Sequence, residues 1–396
     1  MSDDLARALR LFDDYVDLPA PERERRLAAL AASDPPLHAA LRALLDAESE
    51  DAGVLDRSPA QIVAERQPPP ANAGADADRD DRDRDEDEDE DDDSADLRVG
   101  ALLGPWRIDR ILGRGGMGTV YEAHRDDGQY QQRVALKCIR SGLESPELAA
   151  AFREERNLLA RLDHPGIAGV VDGGIDEQGR PWFALRRVEG EPIDQWCDRR
   201  ALGVGARVDL LLQACEALAY AHAQGVLHRD IKPSNLLVTA QGRVQLLDFG
   251  ISTRFGGGED ARAHLAISPD YAAPEARQHG TQGPATDLYM LGVLSYRLLC
   301  GQWPTRLHSL RELVPLAAAG APEPMDRLLE DADDAVARRR GLDDVAALQR
   351  ALAGDLAAVA LKAVASKPQD RYPSVAEFAR DLRAWRSHRP VGARRG

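Results

Sequence analysis

The sequence reads as an α+β protein, and three observations say so. Strand-like runs at Trp106–Leu112, Thr119–His124 and Arg133–Arg140 come first, and helical runs such as Val208–Gln224 and Asp287–Cys300 follow. A sheet-rich half followed by a helical half is an α+β order of elements. Ahead of both lie a short helical stretch and then a tract of Pro, Asp and Glu that carries no apolar period.

The elements follow in chain order. Leu5, Leu9, Phe12 and Val16, then Leu27 and Leu30, then Leu37, Leu41, Leu44 and Leu45 recur at helical spacing. Pro19, Pro21, Pro35 and Pro36 punctuate them, with Ser33 or Asp34 at a cap position, so residues 1–66 form a small helical region. It reads as an appendage without chemistry, with a docking module as the alternative. Residues 67–96 open with three prolines, and Asp76 to Asp96 hold 15 acidic residues and 3 arginines. That segment cannot bury enough apolar surface to offset chain entropy, and it is predicted to be a disordered linker.

The same segment holds −12 of the chain's net charge of −16, so the remainder is nearly neutral. No basic block exists to displace counterions from a nucleic acid, which argues against nucleic acid as a partner. Cys138, Cys197, Cys215 and Cys300 are scattered, with no C-x-x-C pair, so zinc and redox motifs have little support. There is no basic-then-apolar leader and no apolar run long enough to span a bilayer. A cytoplasmic location is the expectation. A basic tail, 387–396, ends the sequence.

Four motifs carry the chemistry. Gly113-Arg114-Gly115-Gly116-Met117-Gly118 lies between two predicted strands. Glycines let a backbone approach phosphate oxygens, and a strand after the loop favours a phosphate-covering hairpin over a dinucleotide site. Val134-Ala135-Leu136-Lys137 places a lysine among apolar strand residues, where it needs partners. ATP phosphates and a helix glutamate are the candidates. Glu155 shares a helical face with Phe152 and Leu159, which selects it over Glu154. His228-Arg229-Asp230-Ile231-Lys232-Pro233-Ser234-Asn235 and then Asp248-Phe249-Gly250 supply the rest. Asp230 is the candidate base, Lys232 the cation for the transferring group, and Asn235 and Asp248 the oxygen ligands for magnesium.

In this order the motifs resemble the eukaryotic-like protein kinase superfamily, over about Leu97 to Arg386. The resemblance implies a bilobal protein-kinase fold, with a β-rich N-lobe near 97–188 and a helical C-lobe near 189–386. It implies ATP and Mg2+, with Mn2+ as a substitute, as cofactors. Lys232 in the catalytic loop is similar to serine/threonine kinases, so the implied substrates are protein Ser/Thr hydroxyls. By the same resemblance Leu112, Val120, Ala135 and Leu237 enclose adenine, Leu185 is the gatekeeper, and main-chain groups of Arg186 and Val188 bond the base. Relatives usually have Glu-Tyr-Val where this chain has Arg186-Arg187-Val188. Leu159, His228 and Phe249 should stack as a packing column.

Ala273-Pro274-Glu275 closes the activation segment, and Arg371 is similar to the arginine that pairs with that glutamate. Arg229 resembles the arginine of kinases ordered by a loop phosphate. The loop here lacks a well-placed threonine, so Glu259 or Asp260 is a candidate standing charge for Arg229. Ser268 aligns with a residue that contacts Asp230 and Lys232. Residues 305–349 look like a long helical insertion. A finer resemblance, through Leu112–Ala123, Gln129–Lys137, Gly190–Arg200 and Leu352–Lys362, is to bacterial serine/threonine kinases of the proteobacterial type, often fused to tetratricopeptide repeats. Pairing of two copies for autophosphorylation is implied as well.

Overall fold

The computed structural model describes residues 25–27, 30, 34, 38, 99–115, 118–139, 146–249, 270–277, 282–305 and 321–394. The acidic linker, Gly116, Ser268, Glu259 and Asp260 lie outside them. The chain divides into two compact units, Met1–Ser58 and Pro59–Gly396. In the first, Arg25–Leu27 are helical and Leu27 is buried. Asp34 stands between two helical bonds: its N–H donates to Leu30 O at 2.8 Å, and its carbonyl accepts from His38 N at 2.9 Å.

The second unit begins with an antiparallel sheet. Its strands are β1 (Leu102–Leu103), β2 (Trp106–Gly115), β3 (Gly118–Arg125), β4 (Arg133–Ile139), β5 (Val170–Ile175) and β6 (Pro181–Arg186). Their spatial order is β1-β2-β3-β4-β6-β5. Alternation along the strands sorts side chains onto two faces. Tyr121, Ala123, Val134 and Leu136 join Trp106, Ile108 and Trp182 in one buried cluster. The opposite face carries Val120, Ala135 and Lys137, aligned by the pairs Val120↔Lys137 and Ala135↔Leu185. One face of the sheet thereby packs a separate apolar cluster, and the other sets a lysine among Val120, Ala135, Phe183 and Leu185.

Gly118 has φ 152°, and a Cβ there would lie 2.0 Å from Cys138 O. The last glycine of the loop is therefore required by the approach of β4, apart from any ligand.

Helix α1 (Pro146–Leu159) crosses between β4 and β5 and buries Phe152 and Leu159. After β6 the chain forms β7 (Gly190–Pro192), α2 (Ile193–Arg199) and α3 (Val204–Ala223). A 3-10 turn at Pro233–Asn235 leads into β8 (Leu236–Thr239) and β9 (Val244–Leu246); β8 lies between β7 and β9 in a small second sheet. Short α4 (Pro274–Arg277) precedes α5 (Pro284–Leu299), which is buried almost all round. A helix apolar on every face belongs at the centre of a lobe.

A helical insertion is expected over 305–349. Its described part breaks into a 3-10 turn at Arg327–Leu329, α6 (Asp334–Arg338) and the start of α7 (Val345–Leu352). Asp333 and Asp344 each cap a helix start, accepting from Ala335 N and Ala347 N, and Gly341 at φ 67° turns the chain between them. Side chains that compete for backbone donors start new helices instead of extending old ones.

Helices α8 (Asp355–Ala363) and α9 (Val375–Arg386) complete the bundle. The basic tail folds back: Val391 is buried, and buried Asp381 accepts from Gly392 N and Ala393 N, both at 2.8 Å, and from Tyr372 Oη at 3.0 Å.

Candidate functional site

The loop from His228 to Asn235 is anchored from beneath by a residue that the motif reading passed over. Asp287, fully buried in the first turn of α5, accepts from His228 N at 2.8 Å, Arg229 N at 2.7 Å and His222 Nε2 at 2.7 Å. A carboxylate inside an otherwise apolar helix is the signal that could have revealed it, because such a charge is tolerated only when its oxygens are used. Arg229 has φ 65°, a left-handed conformation that costs a non-glycine residue on the order of 1 kcal/mol or more. The bond from its own N–H to Asp287 holds it there.

Above that anchor the polar groups converge. Asn235 Nδ2 donates to Asp230 O and to Asp230 Oδ2, both at 2.8 Å. A carboxylate can only accept, so this orients the amide and turns Asn235 Oδ1 away as an acceptor. Lys232 Nζ lies 3.3 Å from the same Asp230 oxygen. From the sheet, Lys137 Nζ reaches Asp248 Oδ2 at 3.2 Å, the ion pair this lysine makes among the described residues. Glu155 is half-buried on α1, on the face of Phe152 and Leu159. Asp248 is a second left-handed non-glycine residue, at φ 53°.

Phe249 follows Asp248 and is buried, its ring 4.7 Å from that of His228. Burial pushes the His228 imidazole below its ordinary pKa against the pull of Asp287, Asp230 and Asp248, so the ring is neutral at pH 7. Leu159 and Phe249 line one cavity with Val170, Leu185 and Asp248. Leu185 is buried near the end of β6, and Arg186 N donates to Gly169 O at 2.9 Å. Val120 and Ala135 sit on the Lys137 face, and Leu237 is buried on β8. Gly113 and Gly115 lie on the β2 side of the loop, with Leu112 half-buried and Arg114 exposed.

Glu275 and Arg371 form a two-pronged pair, Nη1 to Oε1 at 2.7 Å and Nη2 to Oε2 at 2.8 Å. Arg371 also donates to Ala285 O and Ala365 O, each at 2.7 Å. Burial alone would raise the Glu275 carboxyl. The bonds from Arg371 and from Thr286 outweigh it and hold the group below the usual carboxylate range. Arg229 Nε is buried without a hydrogen-bond partner among the described residues.

A lysine, two aspartates, an asparagine and a second lysine thus face one cleft between sheet and helices. Their oxygens suit a hard divalent cation, and their ammonium groups suit phosphates. Residues 106–330 match the family described as protein kinase domain. The chain is 38% identical over 215 residues to serine/threonine-protein kinase PknA of Mycobacterium tuberculosis, covering 52% of this chain and 49% of the relative. It is 35% identical over 314 residues to serine/threonine-protein kinase Pkn1 of Myxococcus xanthus, covering 76% and 41%. The chain spans about half the length, or less, of these curated relatives. The crystal structure of a mutant PknI kinase domain from Mycobacterium tuberculosis superposes with a TM-score of 0.52 at 28% identity, covering 74% of this chain and 99% of that one.

Proposed function

This chain belongs to the protein kinase domain family, and from that premise we propose that it is a serine/threonine protein kinase that transfers the ATP γ-phosphoryl group to protein hydroxyls. The observation that carries the proposal is the convergence on one cleft of Lys137–Asp248 at 3.2 Å and Asp230–Asn235 at 2.8 Å. Phosphoryl transfer asks a protein mainly for positioning and charge compensation, and these groups provide both.

Asp230 orients the acceptor hydroxyl and takes its proton as that oxygen bonds to the γ-phosphorus and the bond from phosphorus to the bridging oxygen breaks, releasing ADP. Lys232 offsets charge on the group in transit. Lys137 holds the α- and β-phosphates, with Glu155 as its partner from α1 when the site is closed. Asn235 Oδ1 and the Asp248 carboxylate would hold Mg2+, with Mn2+ as a substitute; when bound, the ion neutralises phosphate charge. Oxygen ligands from only two side chains suit an ion that keeps phosphates and waters in its remaining positions. Gly113 to Gly118 cover the phosphates. Leu112, Val120, Ala135 and Leu237 enclose adenine against Leu185 and the main chain of Arg186 and Val188. Glu275–Arg371 pins the end of the substrate segment, which includes Ser268.

The finer reading is a cytoplasmic kinase of the proteobacterial type, a class often fused to tetratricopeptide repeats, acting on protein substrates and on a second copy of itself. Among the described residues no helix is long and apolar enough to cross a membrane.

The test is transfer of labelled phosphate from ATP to a generic basic protein. Wild type should label serine and threonine. K137M should abolish labelling, and D230N should lower kcat by roughly 10²–10⁴-fold. Label found only on tyrosine, or undiminished in D230N, would reject the assignment.

A further inference from the structure

The hinge, Arg186-Arg187-Val188 between β6 and β7, is tied to a buried carboxylate. Glu122 is on β3, on the face of Val120 and opposite Ala135, which in turn pairs with Leu185. It therefore belongs to the sheet face that bears Lys137. Its side chain is only 4% exposed, yet three guanidinium groups reach it. Arg110 Nη2 of β2 is 2.6 Å from Oε2, while Arg187 Nε of the hinge and Arg133 Nη1 of β4 are 3.3 Å and 3.4 Å from Oε1.

The three contacts are not equivalent. Arg110 and Arg133 are 46% and 66% exposed, so solvent screens their share. Both also belong to strands already joined to β3 by backbone ladders, which makes their contacts mechanically redundant. Arg187 is the least exposed of the three, at 27%. It lies just past Arg186, where the β4–β6 ladder stops. No strand pairing links the hinge to β3, so the Glu122–Arg187 contact is the cross-tie between them among the described residues. On its other side Arg187 meets Glu189 at 2.8 Å, but that carboxylate is 79% exposed and contributes little.

We propose that Glu122 and Arg187 are positioning residues for nucleotide binding. Their ion pair is a strut from β3 to the hinge. It sets the gap between the Val120 side chain and the main chain of Arg186 and Val188, which on the ATP-kinase reading above is the slot for adenine. A guanidinium suits this role because its planar fork keeps direction as well as charge. Glu122 pairs with Ala135, which pairs with Leu185 next to Arg186, and its ion pairs are with arginines and not with Lys137, Asp230 or Asp248, so it acts on ATP affinity and not on the chemical step.

The experiment measures KM for ATP, kcat and melting temperature in the full chain for E122Q, R187Q, the double variant, R187K and R133Q. A loss of ground-state binding raises KM and spares kcat. Each single change, E122Q or R187Q, should raise the ATP KM about five- to tenfold with kcat within about twofold. The double variant should do no worse than E122Q, because both single changes remove the same Glu122–Arg187 contact and the exposed pairs of Glu122 with Arg110 and Arg133 contribute little. R187K should recover much of the affinity, and R133Q should stay within about twofold of wild type. Unchanged KM in R187Q overturns the proposal, as do additive effects in the double or an equal shift in R133Q. If E122Q fails to fold, R187Q, R187K and R133Q still decide the matter. Wild-type turnover in the same assay tests the kinase reading separately, and its absence overturns both.

Discussion

Replacing Glu275 with glutamine should destabilise the C-lobe by an amount the geometry allows to be worked out. Arg371 has no exposed side-chain surface, and Glu275 retains only 14%. In the native protein the guanidinium is satisfied by both Glu275 oxygens and by the carbonyls of Ala285, Ala365 and Ser366. Glutamine keeps one acceptor, turns an amide N–H toward the other prong, and leaves the buried cation without its countercharge. Removing one partner of a buried pair costs about 3–5 kcal/mol, and the residual exposure of Glu275 places this case at the low end. For a domain of this size about 3 kcal/mol lowers the melting temperature by roughly 6–12 °C.

Scanning calorimetry of E275Q and wild type at pH 7 measures the gap, and the pH series supplies a second check. Burial lifts the Glu275 pKa, but the bonds from Arg371 and Thr286 pull it down further, so the folded value lies below the unfolded one. A group with a depressed folded pKa stabilises fully above its unfolded pKa, about 4.3, and loses that contribution as pH falls through the folded value. Glutamine does not titrate. The gap between wild type and variant should therefore hold from pH 8 to pH 5 and narrow below about pH 4. A gap under about 2 °C at pH 7, or one that widens in acid, contradicts this account of the pair.

Two other outcomes follow from the geometry. In D287N an amide donor meets the donors of His228, Arg229 and His222, so the catalytic loop shifts; kcat should fall by about 10²-fold with a smaller change in ATP KM, and full activity in steady-state assays would exclude the anchoring role. Burial pushes the Cys197 and Cys300 thiols up to about 11 and Cys215 to about 12, while Cys138 is half-buried. Iodoacetamide on the folded protein at pH 8 should label Cys138 alone among the four, and early peptide mass-spectrometric detection of modified Cys215 would disprove it.

Much of the site was legible in the sequence because its parts are local patterns. A glycine run between strands, a lysine on the next strand and polar residues two to five apart in one loop declare themselves by spacing. Asp287 did not, because its partners are 58 to 65 residues away and it reads as one polar residue at the head of an apolar helix. Glu122 did not either. In the sequence it is one more charge beside a tyrosine, and only strand register brings Arg110, Arg133 and Arg187 to it. The described part of the helical insertion expected over 305–349 is divided into short helices for a local reason, since Asp333 and Asp344 cap new starts.

The order of residues alone determined the sheet-then-helix arrangement and the family resemblance, and picked out the candidate side chains, because short-range periodicity and motif spacing encode these directly. Folding in three dimensions chose which distant groups meet. It set Lys137 against Asp248, folded the basic tail onto Asp381 and gathered three arginines around one buried carboxylate. Contacts of that kind depend on register and packing between segments far apart in the chain, and a linear pattern carries no record of them.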